Sequence, residues 1–219
     1  CYAWGITAGT NISENMMEEN AAPEEVSRIF ENLGALAPTF SGSIVRQNAV
    51  LEAVVNMLGY ESVAERRGGY YSVATELGLL KGIKPPTAEA ASYRYILTLL
   101  YNAMDADVLK IDYNDNNNVT LSGGGCFLEE KLNIYHAFGV VTANGRYAIE
   151  AKDRQIDGFA KIDSETYHKN GVSLDGLLGC EVEFYYKKDA QSYGEASELL
   201  YAKLKYDDRR IIIDASDIE

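Results

Sequence analysis

The sequence predicts an α+β protein, with helical-hairpin repeats over residues 1–105 and a small antiparallel β barrel or sandwich domain over residues 108–219. Three observations predict it. Apolar residues recur at helical spacing up to about residue 105. From about Val108 they alternate, or come in short runs bounded by turn residues. A glycine-bounded apolar phrase also occurs twice in the first half, which marks an internal repeat.

In APEEVSRIFENLGAL, Pro23, Glu24 and Glu25 suit a first helical turn, whose amides lack partners and carry partial positive charge. Val26, Ile29, Phe30 and Leu33 follow at helical spacing, and Gly34 supplies a stop. The stretch IVRQNAVLEAVVNMLGYESVAE sets Val50, Leu51, Val54, Val55 and Leu58 on a broad apolar face closed by Gly59. GGYYSVATELGLLKGI places Tyr70, Val73, Ala74 and Leu77 on one face, with Gly78 near the stop. PPTAEAASYRYILTLLYNAMD opens on two prolines and Glu89, and carries Ala90, Tyr93, Ile96, Leu97, Leu100, Tyr101 and Met104 on its apolar face.

The second half has a different rhythm. DYNDNNNVTLSGGG reads as a polar, turn-rich stretch, and LEEKLNIYHAF as a short helix. GVVTANGRYAIEA contains Asn144-Gly145, a type I′ hairpin signal between two strand-like runs. GCEVEFYYKK, ELLYAKLKYD and RRIIIDA are three further strand candidates, and LDGLLG reads as one helical turn before the first of them.

Charge and composition narrow the function classes. The net charge of −13 sets up a field that repels nucleic-acid phosphates and anionic membrane surfaces, so no nucleic-acid partner is expected. Arg66-Arg67 and Arg209-Arg210 are local arginine pairs, read as solvated. No apolar run approaches the roughly 18 residues of a membrane span. The 16 tyrosines suit both strands and surfaces that contact sugars or proteins. Cys1, Cys126 and Cys180 are too scattered for a disulfide framework or a zinc site; Cys126 and Cys180 are read as buried free thiols, with pairing as the alternative.

No catalytic constellation stands out, and no catalytic residue is assigned. The two histidines, His136 and His168, each lie beside a tyrosine and read as packed or solvent-facing. GVSLDG has the wrong spacing for a nucleophile elbow, and no HExxH, P-loop or GxGxxG occurs. Asp112, Asn114 and Asn116 have the alternate spacing of an EF-hand start, but Asn117 and Gly123 occupy the positions that need glycine and a bidentate acid. A calcium site of another kind through Asp112 and Asp115 stays open; otherwise no cofactor is expected. Acid pairs such as Glu129-Glu130 and Glu181/Glu183 are not placed in a cleft by their spacing.

WGITAG (Trp4–Gly9) and LGLLKG (Leu77–Gly82) share the pattern apolar-Gly-apolar-x-x-Gly, each ending one helix and leading toward a second. Those second helices are expected to begin at Ile44-Val45-Arg46-Gln47 and Pro86-Thr87-Ala88-Glu89. In these features residues 1–105, and most closely 44–104, resemble the S-layer homology module of bacterial surface proteins. By that resemblance CYAWGITAGT is the tail of a first helix that starts before residue 1, and Cys1 is an ordinary helix residue.

The resemblance implies a non-enzymatic, extracellular, cell-surface structural protein attached to secondary cell-wall polysaccharide. It places the glycan contacts at the start of the second helix and in the glycine-bounded loop. Carried over, these are Arg46, Gln47, Thr87, Glu89, Lys81 and Gly82, with Arg46 at the motif's arginine and Thr87 where the next copy's arginine belongs. Arginine's fixed charge and forked donors suit an anionic glycan. The alternative partner is the chain itself, as a subunit of a surface filament or other assembly. A second alternative is a carbohydrate-binding β domain, or an enzyme fragment, carried by a surface module.

Overall fold

The structure, a computed structural model, describes residues 4–40, 42–113, 119–188 and 196–206. The chain divides into two units, Cys1–Leu132 and Asn133–Glu219. The division falls later than the expected 105–108. Residues 107–132 join the helical unit because their backbone is bonded to it: Leu109 N donates to Leu58 O (2.9 Å) and Phe127 N to Ala106 O (3.0 Å).

In the first unit, α1 (Pro23–Asn32) and α2 (Gln47–Met57) are amphipathic in the way their spacing predicts, whereas in α5 (Tyr93–Met104) the buried face takes in Leu99 and Ala103 and leaves the expected Tyr101 50% exposed. They bury Val26, Ile29 and Phe30, then Val50, Leu51, Val54 and Val55, then Ile96, Leu99, Leu100 and Met104. The short helices α3 (Glu61–Arg66) and α4 (Tyr70–Glu76) lead to the second glycine-bounded loop. Gly59 closes α2 as expected, at a φ of +87°, and the ESVAE stretch beyond it forms the separate α3. The helix expected from Pro86 starts only at Tyr93; Ser92 is its N-cap, and its hydroxyl accepts from Tyr95 N at 3.3 Å.

Of the stretch read as polar and turn-rich, Asp112, Tyr113 and residues 119–125 belong to an antiparallel hairpin of β1 (Asp107–Tyr113) and β2 (Val119–Cys126), while Asn114, Asn116 and Asn117 lie outside the described residues. At Gly124 the partner strand comes close: a Cβ there would lie 3.0 Å from Val108 O. The short helix expected over LEEKLNIYHAF is only α6 (Phe127–Leu132). Asn133, at a φ of +54°, breaks the chain there, and IYHAF becomes strand.

The second unit is a mixed five-stranded sheet of β3 (Ile134–Ala143), β4 (Phe159–Ile162), β5 (Glu165–His168), β6 (Glu181–Lys187) and β7 (Ser197–Leu204). The order is β3-β4-β5-β7-β6, and β6 also pairs with β3. The expectation of a purely antiparallel arrangement is corrected by β5 and β7, which pair in parallel over Tyr167–Ser197 and His168–Glu198. Val141, Ala160, Ile162, Tyr167, Leu174, Val182, Phe184 and Leu199 form the core on the inner face. LDGLLG is a series of turns that contributes Leu174 to this core. Asn144-Gly145 does not make the expected two-stranded hairpin. Asn144 lacks the positive φ a type I′ turn requires, and beyond Gly145 only the single bridge Ala143–Ala148 follows. The RRIIIDA candidate and Arg209-Arg210 lie outside the described residues.

Burial has a measurable consequence in alkali. Tyr95 is 8% exposed and Tyr167 7%, and desolvation pushes both phenols from the ordinary value near 10 up to about 12. Folding therefore favours the protonated form. This contribution is fully present below pH 10 and is lost as pH rises toward 12. Urea titrations across that window should show stability falling for the wild type and falling less steeply for Tyr95→Phe and Tyr167→Phe. Equal slopes in all three would contradict the burial argument.

Candidate functional site

The starts of α1, α2 and α5 meet in one place. Ala21, Val45 and Ala91 lie two residues before these helices and are 4%, 1% and 0% exposed. Ala21 N donates to Ala91 O (2.8 Å) and Ala91 N to Val45 O (2.7 Å), so the three segments are laced through backbone. The first amides of a helix have no partner within it. Here they find carbonyls of the neighbouring segment: Gln47 N to Glu89 O (3.0 Å) and Asn48 N to Thr87 O (3.2 Å). The same pattern recurs at Tyr93 N to Glu19 O (3.2 Å) and Arg94 N to Met17 O (2.8 Å). Glu19 and Met17 stand 70 residues before Glu89 and Thr87, as Ala21 does before Ala91.

This junction gathers four of the six residues carried over from the surface-protein motif. Gln47 Oε1 accepts from Thr87 N (3.2 Å) and Thr87 Oγ1 (3.3 Å), while Gln47 Nε2 donates to Ala90 O (3.3 Å). Thr87 Oγ1 accepts from Glu89 N (3.2 Å), and the Arg46 guanidinium donates to Ala88 O. Arg46 is itself the N-cap of α2, where its side chain cannot act as the acceptor a cap requires. Its counterpart in the third segment is Ser92, the N-cap of α5, and not Thr87 as the sequence comparison placed it. Thr87 and Glu89 belong to the extended segment before that helix. The junction is half-buried at Arg46 and Gln47 and exposed at Thr87 and Glu89.

Lys81 and Gly82 lie elsewhere, in the loop after α4, and both are exposed. That loop has a twin. Gly78 and Gly82 have φ of +72° and +76°, against +74° and +70° at Gly5 and Gly9. Asn102 Nδ2 donates to Leu79 O and Lys81 O (2.8 Å each), and Asn32 Nδ2 to Ile6 O and Ala8 O (3.0 Å each). Sequence reasoning missed these asparagines. Each is the tenth residue of its helix, a signal readable only once the helix starts are known. Cys1 lies outside the described residues.

Several titratable groups of the second unit form pairs. His136 Nε2 lies 3.2 Å from Glu183 Oε1, with its ring stacked on Tyr185. Glu183 also meets Lys203 (3.0 Å), and Glu181 meets Lys205 (2.7 Å). His168 sits edge-on to Phe159. Cys126 and Cys180 are half-buried free thiols, and burial raises the pKa of Cys126, which lowers its reactivity. Asp115 lies outside the described residues, and of Asp112 only the backbone pairing with Thr120 is described. Among the described residues no group of three or more His, Cys, Asp or Glu is placed to hold a metal ion, and no helix is long and apolar enough to cross a membrane.

No protein-family model matches this chain, and no match is found among curated proteins or among solved structures.

Proposed function

We propose that the chain is a non-enzymatic, extracellular structural module of a bacterial cell surface, whose helical unit is an S-layer-homology-type repeat attached to secondary cell-wall polysaccharide. The observation that carries this reading is the repetition of the glycine-bounded loop, each copy fastened by an asparagine at the tenth position of the helix that follows. The convergence of Arg46, Gln47, Thr87 and Glu89 at one accessible junction supports it further. A guanidinium beside amide and hydroxyl groups offers the charge-assisted donors that an anionic sugar requires.

Co-sedimentation with purified cell-wall sacculi tests the reading. Wild-type protein should be retained, and Arg46→Ala should bind about tenfold more weakly, the size expected for one charge-assisted hydrogen bond. Thermal melting of the variant separates lost binding from lost folding. Equal retention of Arg46→Ala and wild type would remove Arg46 from the site.

A further inference from the structure

Among the described residues the helical unit has three helices meeting at their starts but only two loops with positive-φ glycines four residues apart; before α2, Gly34 (φ +65°) is followed at that spacing by Pro38. Asn56 is the tenth residue of α2, as Asn32 is of α1 and Asn102 of α5. No such loop lies on Asn56. In its place is a cleft of about 530 Å³, bordered by Leu33–Thr39, by Asn56 and by Phe127 of α6. The Asn56 amide meets the Tyr70 hydroxyl on one side. Its Oδ1 is buried and is the one buried side-chain polar atom without a partner among the described residues. Leu36 at the cleft's edge is 91% exposed, the highest value among the large apolar residues described. Glu52 and Glu61 line the cleft with one cation, Lys131. The missing occupant thus has a definable chemistry: an aliphatic side chain, an N–H donor for Asn56 Oδ1, and positive charge.

One loop in the second unit offers all three. Tyr147, Ile149 and Ile156 are 68%, 55% and 73% exposed, the highest values among the large apolar residues described in that unit. Beside them Arg146 and Arg154 form no ion pair among the described residues. The loop holding them is rigidly built. Asn144, 5% exposed, accepts from Arg146 N (3.0 Å) and Tyr147 N (2.9 Å), and Lys169 Nζ clasps its carbonyl (3.0 Å). Asp153, 7% exposed, binds Lys161 at 2.6 Å. A Cβ at Gly145 would lie 2.8 Å from Phe159 O, so the turn fits only glycine. Such preorganisation lowers the ordering cost of a contact made through the loop.

We infer that the chain associates head to tail, the Arg146–Ile156 loop of one copy seating in the Asn56 cleft of a second copy. Two different surfaces meet in such a contact, so each added copy leaves a free loop and a free cleft, and the assembly stays open. The inference is separate from glycan attachment, since association is read with no wall material present.

Sedimentation velocity across a concentration series tests it with two variants at exposed positions: a loop variant (Ile149→Asp with Ile156→Asp) and a cleft variant (Glu52→Lys with Glu61→Lys). Circular dichroism verifies that both are folded. The wild type should grow in mass with concentration, and each variant alone should stay monomeric. Mixed in equal amounts, the two variants should form one-to-one dimers and nothing larger, because each retains the half the other lacks. A wild type that is monomeric at about 1 mM, a variant that associates like wild type, or a mixture that stays monomeric would each overturn the inference.

Discussion

Gly59→Ala should destabilise the helical unit by about 3 kcal/mol, roughly 1–2 from forcing a side chain into a left-handed conformation and the rest from a damaged backbone contact. Gly59 has a φ of +87°, and a Cβ there would lie 2.6 Å from Leu109 O. That oxygen is backbone and cannot swing aside. Its residue is also the one whose N–H bonds Leu58 O at 2.9 Å, the link between α2 and the β1–β2 hairpin. Gly34→Ala is the control. Gly34 has a φ of +65° with nothing within 4 Å of its would-be Cβ, so only the conformational cost of about 1–2 kcal/mol applies. Urea denaturation of both variants separates the two contributions, and equal losses would show that the close approach at Leu109 carries no energy.

In the sheet unit, Phe184→Ala should cost about 3–5 kcal/mol, the usual result of emptying a buried aromatic site. Phe184 is 2% exposed, packs among Val141, Ile162, Val182 and Leu199, and meets the Tyr167 ring edge-on at 5.3 Å. Phe138 on the neighbouring strand faces the other way and is 48% exposed. Phe138→Ala should therefore change stability by about 0.5 kcal/mol or less. A comparable loss in both variants would mean that the inner and outer faces of the sheet are wrongly assigned.

What could be read in the sequence divides along physical lines. The helices α1 and α2 were legible because their apolar residues keep a 3.6-residue period and close on Leu-Gly. The strands β6 and β7 were legible as short apolar runs rich in tyrosine. VTLSGGGC was not, because glycine carries no strand signal and this strand depends on a partner that approaches its bare backbone. IYHAF was misread as helix because the break at Asn133 is a single left-handed residue with no glycine to announce it.

The candidate site was legible in part. The motif comparison found Arg46, Gln47, Thr87 and Glu89, which the fold brings together. It also grouped Lys81 and Gly82 with them, and the fold keeps those two in the loop after α4. It took Thr87 as the partner of Arg46, whereas the register of the helix starts pairs Arg46 with Ser92. The asparagines at the tenth helical positions escaped notice because an isolated Asn near a helix end resembles any other polar surface residue until all three helices are in register.

The proposed attachment to wall polysaccharide is tested most directly by measuring retention of the wild-type chain on sacculi before and after the secondary polymer is stripped from the peptidoglycan. Attachment through the helical unit predicts saturable retention on intact sacculi that is lost on stripped ones and restored by neither higher protein concentration nor longer incubation. No retention on intact sacculi, or equal retention on both, would contradict it.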